Sequence, residues 1–277
     1  MDSPIITLTT DWGDRDFFAA MVKGRLCSLI PAARIIDLSH SQTRGNASST
    51  IGIIRHGCFS FPQGTIHLVD VGVESTSGES RQPRGFQKPV LVLCNGHFFI
   101  CSERILLEQS LETPCQQLVE LPVTDAWRSL TFSAATLFCD VVRRIVGGEQ
   151  PEEIGVPCPP LRPRTTPRAQ VDGNTLVAMV TGIDNYGNAN LNVNLKEFEE
   201  VRAGRSFRVL IDGCSTKAKR YEALNGIKRH YNEELEGNLL LTVSVTGDLQ
   251  LAINEGSAAQ LRGIQNSTPC RFVFGNN

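Results

Sequence analysis

Carboxylates follow two apolar runs of the sequence, and each run predicts a buried strand. Residues 9–16 read TTDWGDRD, and Asp70 stands just after the second run. Open α/β sheets bind ligands at the carboxyl ends of their strands, so both places are candidate ligand sites. Carboxylates there suit a polyhydroxylated or cationic small molecule. The alternative is structural: Asp14 or Asp16 caps the next helix, and Asp70 only precedes a turn glycine.

Two further patches of polar residues occur in the second half of the chain. Residues 183–188 read IDNYGN and residues 252–259 read AINEGSAA, and each follows an apolar run. The structural alternatives are a hairpin turn for the first patch and a strand end before a helix for the second. Taken from their spacing alone, the patches leave both interpretations open.

The composition narrows the class of protein. The chain has 277 residues, 41% of them apolar, and a formal net charge of −2. Such a chain predicts a globular protein with a sizeable core. The near-neutral charge gives no electrostatic reason to expect nucleic acid or an anionic membrane as the partner. Neither a transmembrane-length apolar run nor a signal pattern is recognisable, so we expect a cytoplasmic protein.

The nine cysteines form no CxxC pair, so the sequence predicts no zinc or other metal site. Most of them lie within apolar stretches, which is typical of reduced, buried thiols that pack as small hydrophobic side chains. A catalytic cysteine is disfavoured because the sequence indicates no partner histidine.

The order of elements predicts two domains. Residues 1–155 alternate strand-like and helix-like segments, which predicts an α/β domain with a mostly parallel sheet. An Asn95-Gly96 turn predicts a hairpin within it. Residues 156–170 are rich in proline and predict a stiff linker. Residues 171–277 contain short strands separated by glycine turns, which predicts a small all-β barrel.

Taken together, the patches resemble the S-adenosylmethionine hydroxide adenosyltransferase family, which also includes fluorinases and chlorinases. The family motif T-D-F-G-x-x-D is matched by residues 10–16, with Trp12 in place of phenylalanine. The family motif I-D-x-F-G-N is matched by residues 183–188, and an N-x-x-S-A pattern by residues 254–258. The matches span both predicted domains.

The resemblance implies a role for each candidate residue. Asp11 is expected to accept hydrogen bonds from the ribose hydroxyls, and Asp16 to contact the methionine ammonium group. Tyr186 is expected near the adenosyl group. Asn188 and Asn254 are expected at the adenine edge. The family also implies a homotrimer that binds S-adenosylmethionine between the α/β domain of one subunit and the barrel of its neighbour.

The resemblance further implies attack of water or hydroxide on the ribose 5′ carbon, with methionine as the leaving group. The sulfonium already activates this carbon, so no cofactor or metal is expected. Asp70 resembles the family's water-orienting carboxylate, and a negative charge there disfavours halide as the nucleophile. The implied activity is therefore S-adenosylmethionine hydrolysis to adenosine and methionine.

The sequence departs from the hydrolytic pattern around Asp70. The family pairs this aspartate with an arginine and a histidine, whose positions are occupied here by Ser77 and Ser133. The family's P-D-N-G stretch stands here as residues 102–105, SERI. Arg81 or Arg84 could replace the missing arginine. His67 would face away from Asp70 on a strand, and His40 is expected to make a structural hydrogen bond.

These departures leave three functions open. The first is hydrolysis of S-adenosylmethionine. The second is a non-catalytic protein of the same fold that binds an adenosyl compound or nucleoside. The third is displacement of methionine by a different nucleophile. Asp70 favours catalysis, whereas Ser77 and Ser133 favour binding alone.

Overall fold

The chain forms two compact units, residues Met1–Arg164 and Thr165–Asn277. The computed structural model describes residues 3–43, 47–72, 88–111, 113–122, 132–162, 168–211, 221–222, 224 and 226–275. In the described residues, no helix is long and apolar enough to cross a membrane.

The first unit is built on a seven-stranded sheet. Its strands are β1 (Ile5–Thr10), β2 (Arg34–Ser39), β3 (Ile66–Asp70), β4 (Val90–Cys94), β5 (His97–Cys101), β6 (Gln117–Glu120) and β7 (Val156–Pro157). They are ordered β2-β1-β3-β5-β4-β6-β7. Its helices are α1 (Phe18–Leu29), α2 (Ala47–Gly52), α3 (Arg104–Ser110), α4 (Leu137–Val146) and α5 (Pro151–Ile154), with a π-helical turn at Ile53–Gly57 and 3₁₀ turns at Cys58–Ser60 and Ser133–Ala135.

The expectation of a mostly parallel sheet is wrong for half of this sheet. The pairs β1–β2, β1–β3 and β3–β5 are parallel, whereas β4–β5, β4–β6 and β6–β7 are antiparallel. The hairpin at Asn95-Gly96 reverses the chain between β4 and β5, and both turn residues have positive φ (51° and 77°). That geometry is favoured by asparagine and glycine in two-residue hairpin turns, so the sheet is mixed.

Apolar side chains cover both faces of this sheet. Leu68 belongs to one apolar cluster with Val22 of α1 and Phe138 of α4, while the next residue, Val69, belongs to a second cluster with Leu106 of α3. Successive strand residues point to opposite faces, so β3 contributes to both clusters. The carboxyl ends of β1 and β3 are thereby held on a rigid support.

The predicted linker, residues 156–170, includes a segment that belongs to the first unit. Strand β7 pairs with β6. Arg104 then donates hydrogen bonds to the carbonyl groups of Pro159 (2.7 Å) and Pro160 (2.6 Å). The division between the units falls further along, at Arg164 and Thr165.

The second unit contains a nine-stranded sheet, which includes β8 (Gln170–Asp172), β9 (Thr175–Ile183), β10 (Ala189–Asn194), β11 (Phe207–Ile211), β12 (Tyr221–Glu222), β13 (Ile227–Lys228), β14 (Leu239–Val243), β15 (Asp248–Ile253) and β16 (Pro269–Phe274). The order is β12-β11-β16-β9-β10-β15-β14-β13, with β8 beside β9. Its core is aromatic around Phe198, whose ring lies 5.2 Å from that of Phe207 and 5.1 Å from that of Phe272.

The prediction of an all-β barrel needs correction. Helices α6 (Leu195–Arg202) and α7 (Ala258–Arg262) belong to this unit, as does a 3₁₀ turn at Tyr231–Glu233. Within the described part of the chain, the end strands β12 and β13 do not pair with each other, so no closed barrel is seen there. Helix α6 begins where Asn194 accepts a hydrogen bond from the Glu197 amide (2.9 Å), a capping signal that the strand-based interpretation passed over.

Candidate functional site

Asp11 and Asp70 lie side by side at the carboxyl ends of β1 and β3. The parallel register pairs Thr10 with Asp70. The Asp11 amide donates to the Asp70 carbonyl (3.3 Å), and the Asp11 carboxylate accepts from the Gly72 amide (3.0 Å, to Oδ2). The loops after the two strands are therefore joined by one main-chain hydrogen bond and by one bond to the Asp11 carboxylate.

Protein atoms surround the Asp70 carboxyl group, although the residue as a whole keeps intermediate exposure to solvent. Trp12 donates from its indole Nε1 to Asp70 Oδ2 at 2.9 Å. Ser102 is a second neighbour whose side chain lowers the pKa of Asp70 by hydrogen bonding. Burial raises the pKa of Asp70 and the Asp11 charge adds to the rise, while the hydrogen bonds from Ser102 and Trp12 oppose it. Once ionised, such a carboxylate is a stronger base than an ordinary aspartate.

Trp12 is held in place by two aromatic neighbours. Its ring stacks on His40 (6.0 Å between centroids, 16° between planes) and meets Phe132 edge-on (5.0 Å, 77°). His40 is itself fixed, because its Nδ1 lies 2.7 Å from Thr10 Oγ1 and its Nε2 lies 3.1 Å from Asp37 Oδ1. This geometry agrees with the structural hydrogen bond expected for His40.

Asp16 is exposed to solvent and lies just before the N-cap of α1. The N-cap of α1 is Phe17, and it makes no side-chain cap hydrogen bond. Neither Asp14 nor Asp16 caps this helix, so the capping alternative is wrong. Asp16 remains an exposed carboxylate of the kind that can meet a cationic ligand.

The turn between β9 and β10 is organised by Asp184. Its Oδ1 accepts from the amides of Tyr186 and Asn188, both at 2.9 Å, and its Oδ2 accepts from Asn188 Nδ2 (2.9 Å) and Gln250 Nε2 (3.3 Å). Asn188 is buried, whereas Tyr186 is 79% exposed. The turn therefore presents an aromatic ring outward while it holds the Asn188 amide inside.

Asn254 follows β15 and also makes a structural hydrogen bond. Its Nδ2 donates to the Glu234 carbonyl at 2.8 Å. Each predicted asparagine thus uses one N–H of its amino group on a protein acceptor, and its side chain also carries a second N–H and a carbonyl oxygen.

The two polar patches of the second unit meet at Gly187. The Ala259 amide donates to the Gly187 carbonyl (2.9 Å), and the Gly187 Cα lies so close to Ser257 that a side chain would overlap Ser257 Oγ. Gly187 has a positive φ of 84°. The residues 183–188 and 254–259 therefore form one surface around this glycine.

The positions of the missing arginine and histidine, and the residues considered as their replacements, are only partly described by the structure. Ser77, Arg81 and Arg84 lie outside the described residues. Ser133 begins a 3₁₀ turn. His67 contacts Thr7 Oγ1 (2.7 Å) and His97 Nδ1 (3.1 Å) through its two ring nitrogens, so it serves the sheet and not Asp70.

Four residues that act on Asp70 or organise the turn after β9 were given no role from the sequence: Trp12, Ser102, Asp184 and Gln250. The sequence did carry a signal for Trp12 and Ser102, because they replace a phenylalanine and a proline of the family pattern. The described residues contain no cluster of three or more potential metal ligands.

The comparisons with known proteins cover nearly the whole chain. The SAM hydroxide adenosyltransferase N-terminal domain model matches residues 6–155, and the C-terminal domain model matches residues 178–271. Two curated relatives are named (R)-S-adenosyl-L-methionine hydrolase. The one from Salinispora tropica is 26% identical and the one from Salinispora arenicola 28% identical, with 99% of this chain and 99% of each relative covered.

Two solved structures share the fold. An uncharacterized conserved protein from Thermotoga maritima has a TM-score of 0.76 at 19% identity, covering 97% of this chain and 99% of that one. A conserved hypothetical protein from Thermus thermophilus has a TM-score of 0.67 at 20% identity, covering 98% of this chain and 100% of that one. Because the two family models together match well over half of the sequence, the chain belongs to the SAM hydroxide adenosyltransferase family.

Proposed function

We propose that this protein hydrolyses S-adenosylmethionine to adenosine and methionine. The oxygen of water forms a bond to the ribose 5′ carbon while the bond from that carbon to sulfur breaks. The sulfur keeps the electron pair and leaves as the neutral thioether of methionine. The proton lost by water passes to Asp70 and then to solvent.

The observation that carries the proposal is the environment of Asp70. It is a carboxyl group with a raised pKa at the end of a buried strand, beside a second carboxylate, Asp11. A base of this kind can orient a water molecule and accept its proton. The family membership supports the choice of substrate, and the names of the Salinispora relatives support hydrolysis.

The binding roles are those that the family resemblance implies, and the acceptor groups of these residues suit them. Asp11 Oδ2 already accepts from Gly72, so Asp11 Oδ1 is the oxygen proposed to receive the ribose hydroxyls. Asp16 is proposed to pair with the methionine ammonium group. The carbonyl oxygens of Asn188 and Asn254 are proposed to accept from the adenine amino group, with Tyr186 beside the adenosyl moiety.

Three further points belong to the proposal. The names of the two relatives specify the (R) epimer at sulfur, so we propose that this chain prefers it as well. The sulfonium supplies the activation, so we propose that no cofactor is required. The family resemblance supports a homotrimer with sites at the subunit interfaces, which light scattering would test.

The rival function is binding of an adenosyl compound or nucleoside without turnover. It is favoured by the serines at positions 77 and 133, where the hydrolytic pattern has arginine and histidine. This rival predicts ligand binding with unaltered substrate.

The test follows both binding and conversion. The purified protein is incubated with each sulfonium epimer, and adenosine is measured by chromatography against an Asp70→Asn control. The proposal predicts adenosine from the parent protein well above this control, with the (R) epimer preferred. No adenosine above the control, together with a ligand-induced rise in Tm, would establish the rival. A rise in Tm that survives Asp11→Ala would overturn the ribose role of Asp11.

A further inference from the structure

Two polar side chains act on Asp70 from positions where the family pattern carries no side-chain donor. Trp12 stands in place of phenylalanine, and Ser102 stands in place of the proline of P-D-N-G. Trp12 Nε1 lies 2.9 Å from Asp70 Oδ2, and the Ser102 side chain also lowers the pKa of Asp70. The two positions that normally serve the aspartate, 77 and 133, are both serine here.

We infer that Trp12 is a positioning residue for Asp70, and that with Ser102 it takes over the task of the missing arginine and histidine. The inference rests on the proposed hydrolase function and names a part of its machinery. Trp12 acts through Asp70 and need not touch the substrate.

The geometry suits a positioning role because the indole is itself immobilised. His40 stacks on one face at 6.0 Å, and Phe132 closes the edge at 5.0 Å. The main chain adds a further constraint, since the Gly13 amide donates to the His40 carbonyl at 2.7 Å. A donor on a fixed ring fixes the acceptor, so Asp70 Oδ2 is held in place.

The hydrogen bond from Trp12 stabilises the charged form of Asp70. An N–H group that points at a carboxylate favours its ionised form. It therefore counteracts the burial that raises the pKa of Asp70. A phenylalanine at position 12 would keep the ring contacts with His40 and Phe132 and lose this donor.

The kinetic test is Trp12→Phe, which installs the family residue and so should preserve the fold. We expect kcat to fall roughly tenfold, as for loss of one hydrogen bond to a charged group, with KM nearly unchanged. The acid limb of the kcat profile should move to higher pH. Ser102→Ala should move the limb in the same direction. A higher KM with an unmoved acid limb would show that Trp12 only supports the structure, and would overturn the inference.

A second measurement does not depend on turnover. The chain has two tryptophans, so Trp127→Phe leaves Trp12 as the only one. A charge at hydrogen-bond distance from the indole N–H changes its emission. The emission of Trp12 should therefore change with pH as Asp70 ionises, and Asp70→Asn should abolish that step.

Other titratable groups lie near Trp12 and Asp70. They are His40, which stacks on the Trp12 ring, Asp11 beside Asp70, and Cys101, whose pKa is raised in part by the Asp70 charge. Their contributions should persist in Asp70→Asn. If the emission of Trp12 changed with pH in the same way with and without Asp70→Asn, the contact between Trp12 and Asp70 would be overturned, whatever the turnover. An Asp70-dependent step in a protein that forms no adenosine would uphold the contact and overturn the hydrolase proposal instead.

Discussion

Replacing Gly187 with alanine should damage the place where the two polar patches of the second unit meet. Gly187 has a positive φ of 84°. A Cβ built on it would overlap Ser257 Oγ and lie 2.7 Å from Ser257 Cβ and 3.1 Å from Ser257 Cα. Alanine would therefore meet two separate penalties, one in its own backbone and one against its neighbour.

The size of the effect follows from these two penalties. A left-handed backbone conformation costs a non-glycine residue about 1–2 kcal/mol. Forcing extra atoms into a packed contact costs about 1–3 kcal/mol more. Gly187→Ala should thus lower the free energy of unfolding by about 2–5 kcal/mol. The displaced turn carries Asn188, so binding of S-adenosylmethionine should weaken as well.

Gly247→Ala is the matched control, because Gly247 has φ 86° and no atom within 4 Å of the built Cβ. Gly247→Ala should lower the free energy of unfolding only by the cost of the left-handed backbone conformation, about 1–2 kcal/mol. Ser257→Gly removes the overlapping atoms and, as a change at the N-cap of α7, costs only a few tenths of a kcal/mol. Added to Gly187→Ala, it should restore much of the lost stability.

Urea unfolding followed by circular dichroism measures the parent, the three single variants and the double variant, and a ligand-induced change in Tm measures binding. The reasoning would be refuted if Gly187→Ala lost no more stability than Gly247→Ala. It would also be refuted if Ser257→Gly gave no recovery, since the two changes would then act independently.

Two further predictions concern pH. Asp70 has a raised pKa, so its ionisation destabilises the folded protein as pH rises through the window from about 4, the unfolded value, to the raised value. Asp70→Asn should therefore have a higher Tm than the parent at neutral pH and no advantage below pH ~4, and an unchanged difference across this range would contradict the assignment. Burial and His97 lower the pKa of His67 to about 3, so stability present above pH 6.5 should be lost as pH falls toward 3. His67→Gln should flatten this loss in urea titrations, and an equally steep loss in the variant would show that His67 is not its source.

The local sequence sufficed to locate the first-unit carboxylates. Strand ends are recognisable from apolar runs, and parallel pairing brings Asp11 and Asp70 together without any knowledge of the loops between them. The Asn95-Gly96 hairpin was predictable for the same reason, because its turn chemistry is confined to two residues.

Longer-range contacts were not predictable from spacing. Trp12 reaches Asp70 only once β1 and β3 are paired, and Gln250 reaches Asp184 only once β15 lies beside β10. The other antiparallel pairs of the first sheet, β4–β6 and β6–β7, depend on short strands such as β7, two residues long, which leave little periodicity to detect. Their pairing is decided by packing and not by local propensity.

The most direct test of the central claim is turnover in water labelled with heavy oxygen. Water attack at the ribose 5′ carbon predicts adenosine that carries the label on its 5′ oxygen, beside unlabelled methionine, with both products lost in Asp70→Asn. S-Adenosylmethionine recovered intact would contradict hydrolysis. Cleavage without the label at the 5′ oxygen would contradict the assignment of water as the nucleophile.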